Sequence, residues 1–287
     1  MRLIPLSLAC AALGLLPLLG CSSSKRSDDG KSTTAPLACS APGYAVDAAP
    51  VKIDEVDAIV NDGHAVGLAE LPVQVCGIDQ CFNGTSGKDG KTVVAPHTAL
   101  TRPAFKYGDG FEYAELAVPL GVDATQDLGP VQALQLPDFA DGAPFPKSGA
   151  VTNGEVTLTL AKGTDVEHDR LTYEDDADLV FRSTAIPLGT SAEALALTHF
   201  NFELGYAVAP LGTTFCPAAQ VSLPNSQHWR SGTEVEVFIQ GLDVAEEWAP
   251  YGTWVKVAEG SVSADGASIN TSSGGIPILS SIAVRRK

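Results

Sequence analysis

Short stretches of alternating apolar and polar residues, separated by turn residues at intervals of about ten positions, constrain the fold of this chain most strongly. Residues 155–160 and 234–239 place Val, Leu or Ile on one side of an extended chain and mostly Thr or Glu on the other. This period of two is typical of a strand with one buried face. The 28 Gly and 19 Pro residues supply turns between such strands. The pattern predicts an all-β fold made of two β-sandwich domains.

The first 21 residues are an apolar stretch behind one positive charge, Arg2. The stretch is short for a membrane span and ends in a small residue, so it predicts an export signal over residues 1–20. Residues 18–21, Leu-Leu-Gly-Cys, resemble a bacterial lipobox. That resemblance implies cleavage before Cys21 and attachment of fatty acid, such as palmitate, to Cys21. Ser22 follows Cys21, where an Asp would suggest retention in the inner membrane. The absence of Asp resembles the pattern of outer-membrane lipoproteins, so we expect a lipid-anchored protein of the bacterial outer membrane.

Composition predicts how the rest of the chain is organised. Residues 21–44 are the lipidated Cys and a flexible tether, because residues 22–36 are small and polar and lack apolar periodicity. The two sandwiches are predicted over residues 45–125 and 151–287. Residues 126–150, rich in Pro, Gly and Asp, are predicted to connect them.

The formal net charge of −16 narrows the choice of partners. A surface this acidic repels the phosphate backbone of nucleic acids and anionic lipid headgroups. We therefore expect no nucleic-acid partner. Membrane attachment would come from the N-terminal lipid, in which each buried methylene contributes roughly 0.8 kcal/mol.

The cysteines predict two disulfide bonds. Cys10 leaves with the signal and Cys21 carries lipid, so four thiols remain: Cys39, Cys76, Cys81 and Cys216. An even number in an exported protein favours disulfides, and four cysteines allow three pairings. Cys76 and Cys81 flank a four-residue loop that suits a hairpin, so we favour Cys76–Cys81 and, by remainder, Cys39–Cys216. A metal site of four thiols is the alternative, but two C-x-x-C pairs are lacking.

The first half resembles a transthyretin-like, carboxypeptidase-regulatory-like sandwich. Residues 72–76, the Gly-rich turn at residues 85–91 and the strand that starts at Thr92 carry this resemblance, which covers residues 50–120. It implies a fold and no activity. Enzymes of the wider transthyretin-like group use histidines and a C-terminal Tyr-Arg-Gly-Ser signature, which this chain lacks.

The second half is similar to the C-terminal module of uncharacterised envelope lipoproteins of Gram-negative bacteria, and to the ZU5-like or Ig-like sandwich. This resemblance spans residues 220–285 and implies no known activity. Its motifs lie at residues 223–225, 232–235, 252–257, 262–266 and 275–277.

Motifs for enzymatic chemistry are lacking in the sequence. It contains no G-x-S-x-G, no phosphate-binding P-loop and no H-E-x-x-H. No catalytic residue and no cofactor are predicted, and the chain is not expected to be an enzyme. A hydrolase with a dispersed site is an alternative, and it would require His168, His199 or His228 within hydrogen-bond reach of Ser, Asp or Glu in a deep pocket.

An acidic stretch offers the best candidate metal ligands. Calcium prefers several carboxylate and carbonyl oxygens from one flexible loop. The carboxylates between residues 165 and 178 do not have EF-hand spacing, so a solvated acidic loop is the simpler interpretation. If a cation binds, the first ligands named are Asp165, Asp169, Asp175 and Asp176.

Aromatic residues of the second half suggest a ligand site. Trp248, Tyr251 and Trp254 fall within seven residues, and Trp229 occurs upstream. Exposed rings at one end of a sandwich could stack on a sugar or a peptide; the alternative is that they fill the core. The function predicted overall is a non-enzymatic binding or structural role in the cell envelope, with recognition of a glycan or a protein partner as an alternative.

Overall fold

Strands dominate the part of the chain that the structure describes. A computed structural model describes residues 39, 41–44, 48–78, 80–189, 197, 199–242 and 247–287. Within it, 3₁₀ helices cover Phe139–Asp141 and Asp176–Asp178. The strands are β1 Val51–Ile53, β2 Glu55–Asn61, β3 Pro72–Cys76, β4 Cys81–Thr85, β5 Lys91–Val94, β6 Thr98–Leu100, β7 Ala104–Tyr107, β8 Leu116–Pro119, β9 Thr125–Gln132, β10 Ala143–Pro144, β11 Gly149–Asn153, β12 Val156–Leu160, β13 Asp165–Glu167, β14 Val180–Ala185, β15 Leu204–Ala209, β16 Thr214–Pro224, β17 Glu234–Gln240, β18 Trp254–Val262, β19 Ser268–Gly274, β20 Ile276–Ile278 and β21 Ile282–Arg286. The predicted all-β class is confirmed.

Two small sheets form most of the first half, and β1 pairs separately with β6. One sheet has the strand order β5-β2-β9 and the other β4-β3-β7-β8. Alternation decides which residues face inward: β2 buries Val56, Ala58 and Val60 and turns the residues between them outward. These three side chains and Phe105 of β7 belong to one apolar core. All of strand β9 except Thr125 lies within the segment predicted to be a connection, and the strand pairs in parallel with β2.

One large sheet forms the second half. Its order is β10-β14-β15-β21-β17-β18-β19-β16-β12-β11. The long strand β16 pairs with β13 and β20 along its first part and with β12 and β19 along its second. Strand β11 contacts both β10 and β14, so the sheet curls until its two ends meet. A second apolar core, with Val237, Ile239 and Val284 fully or almost fully buried, belongs to this sheet.

The first core is shared by both halves of the chain. Besides residues of the small sheets, it contains Ile186, Phe202, Phe238 and Ala283. The ring centroids of Phe202 and Phe238 are 4.9 Å apart. Each half thus covers apolar surface of the other. The division into domains at residues 125 and 151 stays a prediction.

A fully buried arginine adds polar bonds between the halves. Arg182 of β14 is 1% exposed. Its guanidinium donates to the carbonyl oxygens of Phe111 at 2.6 Å, Pro137 at 3.3 Å and Gly110 at 3.4 Å, and it lies 3.8 Å from the ring centroid of Phe139. Burial lowers the pKa of Arg182, because desolvation disfavours the charged form. The three carbonyls therefore compensate a buried charge.

Both predicted disulfide pairings are confirmed. Cys76 and Cys81 face each other across the β3–β4 hairpin. Cys39 is joined to Cys216 of β16, 177 residues away, with their Cα atoms 5.4 Å apart. The Cys39–Cys216 bond fixes Cys39 to the large sheet.

Two observations bear on membrane attachment. Among the described residues, no helix is long and apolar enough to cross a bilayer. The predicted signal, residues 1–20, and the predicted lipid-bearing Cys21 lie outside the described residues.

Candidate functional site

The four aspartates named as metal ligands are not gathered into one set. Asp169 accepts from the amide of Leu171 at 3.0 Å and from the hydroxyl of Thr172 at 2.6 Å. Asp176 pairs with Arg170 at 2.6 Å. Asp165 lies on β13, and Asp175 directly precedes the second 3₁₀ helix. No group of three or more His, Cys, Asp or Glu that could hold a metal occurs in the described part of the chain.

Two of the four aromatic rings named as ligand-binding are buried. Tyr251 is 2% exposed and Trp229 is 9% exposed. Trp254 is half-buried against the first core, with its ring centroid 5.1 Å from that of Phe202. Trp248 is half-buried against the second core and also lines a surface cleft. The four rings therefore do not form one exposed platform, and Trp248 alone of them lies at this cleft.

We call the cleft beside the Cys39–Cys216 bond the disulfide cleft. Its volume is about 560 Å³. Four side chains in its lining matter chemically, and two of them, Asp165 and Trp248, were named from the sequence for different reasons. The four are Asp165, Glu167, Glu247 and Trp248.

Strand pairing explains why two carboxylates face the disulfide cleft. In the antiparallel pair β13–β16, Asp165 lies opposite Cys216 and Glu167 opposite Thr214. Directly opposite residues share one face of a sheet, and neighbours along a strand point to opposite faces. Val166, between the two carboxylates, accordingly packs against the second core. Because Asp165 and Glu167 are separated by one residue on a strand, the sequence alone could have indicated that both carboxylates lie on the same face.

The third carboxylate comes from a distant part of the chain. Glu247 is exposed, and its main-chain carbonyl accepts from the amide of Gly43 at 3.3 Å. The segment that follows Cys39 thus runs beside Glu247. No sequence signal connects Glu247 to Asp165, because only the fold brings them together.

The side chains of the disulfide cleft are suited to binding an organic cation, such as an ammonium or guanidinium group. Between described residues, no salt bridge engages Asp165, Glu167 or Glu247. Three carboxylates without cationic partners can accept charge-assisted hydrogen bonds from an ammonium or guanidinium group. The face of an indole such as Trp248 attracts the same groups. A Lys or Arg side chain of a partner fits both features.

His168, His199 and His228 do not show the arrangement that the hydrolase alternative requires. The Nδ1 atom of His168 lies 3.1 Å from Oγ1 of Thr213. Thr213 is fully buried and its hydroxyl donates to the carbonyl of Pro210 at 3.1 Å, so it is not placed to attack a substrate. His199 and His228 are exposed.

Comparisons with known proteins give no family for this all-β chain with an acidic cleft. No protein-family model matches it, and no curated protein matches it. Among solved structures it is similar to the crystal structure of BcpA, the major pilin subunit of Bacillus cereus, at 11% identity and a TM-score of 0.20. That match covers 82% of this chain and 88% of the pilin chain. A score this low does not establish a shared fold.

Proposed function

We propose that this chain is a lipid-anchored protein of the bacterial outer membrane that binds a positively charged segment of a partner protein in the disulfide cleft, without catalysis. The observation that carries the binding role is the convergence of Asp165, Glu167, Glu247 and Trp248 on one cleft. The formal net charge of −16 supports it, because an acidic surface accelerates encounters with basic partners.

The Cys39–Cys216 bond limits how far the disulfide cleft can lie from the membrane, if Cys21 carries the lipid. If Cys21 carries the lipid, the 18 residues from Cys21 to Cys39 span at most about 65 Å when fully extended. Cys39 is fixed at the cleft. The binding site would then stay within that distance of the membrane and meet partners there.

Lipid attachment predicts a change in partitioning when Cys21 is replaced. In bacteria fed labelled palmitate, we expect the wild-type protein to carry label and to enter the detergent phase. The variant Cys21→Ala should carry no label and should remain in the aqueous phase, because the acyl chains supply the membrane affinity. Cys10→Ala is the matched control and should behave as wild type. Unlabelled wild-type protein would refute the anchor.

Binding in the disulfide cleft predicts a response of Trp248 to a basic peptide. We expect a short peptide of alternating Lys and Gly to shift the indole signal of Trp248 in NMR spectra saturably. Neutralising the cleft with Asp165→Asn, Glu167→Gln and Glu247→Gln should weaken this binding at least tenfold, roughly 1.4 kcal/mol. Added salt should also weaken it, because exposed charges are screened over about 8 Å at physiological ionic strength.

A charge-matched control separates this cleft from the acidic surface as a whole. The variant with Glu70→Gln, Glu112→Gln and Asp123→Asn removes the same number of charges from exposed positions elsewhere. It should bind the peptide as the wild type does. Equal weakening of the two variants would show that binding follows net charge, and the disulfide cleft would lose its role.

A further inference from the structure

A second pocket lies on the large sheet, at one end of the β11–β12 hairpin. Its volume is about 590 Å³, within the range of small-molecule sites. We call it the lysine pocket, and the part of its lining that matters here is Phe145, Lys147, Ser148, Lys162, Thr164 and His168. It differs from the disulfide cleft in charge, because its charged side chains are lysines.

The hairpin register places the two lysines at the same end. Gly149 of β11 pairs with Leu160 of β12. Lys147 precedes Gly149 by two residues and Lys162 follows Leu160 by two residues, so they leave the antiparallel pair at matching positions. Lys162 lies in a tight turn, in which the amide of Thr164 donates to the carbonyl of Ala161 at 3.1 Å.

The floor of the lysine pocket is aromatic. The ring centroid of Phe145 lies 6.0 Å from that of Phe181, 5.8 Å from that of Phe215 and 5.4 Å from that of His168. His168 is half-buried. Burial lowers the pKa of His168, and the charge of Arg170 lowers it further, so the charged imidazolium is disfavoured at this position. An apolar group can therefore pack against the ring of Phe145.

Most of the other lysines in the described residues lie close to a carboxylate, whereas the two lysines of this pocket do not. Lys52, Lys91 and Lys256 each lie within 3.3 Å of a carboxylate. Lys147 and Lys162 are exposed and make no salt bridge with any described residue. The protein has a net charge of −16, but two ammonium groups without salt bridges to described residues make this pocket locally positive. A positive pocket favours the binding of an anion.

We infer that the lysine pocket binds a small organic carboxylate that carries an apolar group. The carboxylate would lie between Lys147 and Lys162 and accept charge-assisted hydrogen bonds. The apolar group would cover the ring of Phe145. This site is independent of the disulfide cleft, and it does not depend on the lipid anchor.

The test uses 3-phenylpropionate as the probe and the imidazole signal of His168 as the reporter. The signal is assigned with His168→Gln. We expect saturable shifts with 3-phenylpropionate below about 10 mM, and binding at least tenfold weaker for the neutral analogue 3-phenylpropan-1-ol and for propionate. No shift of the His168 signal, or equal binding of the neutral alcohol, would overturn the inference.

Variants link the binding to the two lysines. Lys147→Gln with Lys162→Gln should weaken 3-phenylpropionate binding at least tenfold. Lys52→Gln with Lys88→Gln, which removes the same charge from exposed positions elsewhere, should leave it unchanged. Unchanged affinity of the first variant, or equal loss in both, would also overturn the inference.

Discussion

Replacing Cys39 and Cys216 with alanine is expected to lower the free energy of unfolding by about 5 kcal/mol in the chain-entropy model. The bond closes a loop of 177 residues. Without it the unfolded chain gains conformational freedom that the folded protein does not share, so the equilibrium shifts toward unfolding. Urea titration followed by tryptophan fluorescence measures the loss as a lower midpoint.

The Cys76–Cys81 disulfide provides a matched control for this effect. Cys76–Cys81 joins residues only five positions apart, and the same model gives about 2 kcal/mol for its removal. Alanine is the replacement at all four positions because Cys76 is fully buried and a serine hydroxyl there would need a hydrogen-bond partner. A larger loss from the short loop than from the long one would contradict the explanation by loop length.

Arg182→Ala is expected to destabilise the protein by about 4 kcal/mol. The change removes the donors that satisfy the carbonyls of Gly110, Phe111 and Pro137, and it empties a space beneath the ring of Phe139. The contact with Gly110 is buried and those with Phe111 and Pro137 are part-buried, so water replaces the lost hydrogen bonds incompletely. Equilibrium unfolding in urea measures the change.

An exposed arginine controls for the loss of charge alone. Arg170 pairs with Asp176 at the surface. Arg170→Ala should change the free energy of unfolding by less than about 0.5 kcal/mol, because exposed ion pairs contribute little. If Arg182→Ala were as mild as Arg170→Ala, the three carbonyl contacts would not stabilise the interface between the halves.

Local sequence patterns were sufficient for the fold class and the disulfides. Alternation in residues 155–160 identifies a strand with one buried face, and β12 occupies Val156–Leu160. Cys76 and Cys81 flank a loop short enough for a hairpin, which left Cys39 and Cys216 as the remaining pair. These inferences succeed because they depend only on residues that are close in the sequence or on the number of cysteines left to pair.

Contacts between distant segments could not be read from the sequence. Alternation shows that one face of a strand is apolar, but not what covers it, so the shared first core was missed. Arg182 looks like an ordinary strand residue until its carbonyl partners are known. Asp165 and Trp248 were assigned to separate hypothetical sites, because nothing in the sequence shows that the folded chain brings both to one cleft.

The position of β21 has a consequence for how the protein is made. Ile282–Arg286 lies between β15 and β17, which end at residues 209 and 240. In a chain that emerges from a ribosome or a translocation pore amino end first, both partners appear well before the strand that joins them. Each exposes an unpaired edge in the meantime, and such edges join readily to other chains. We therefore expect the nascent polypeptide to be most prone to aggregation in the interval before residues 282–286 pair with both strands.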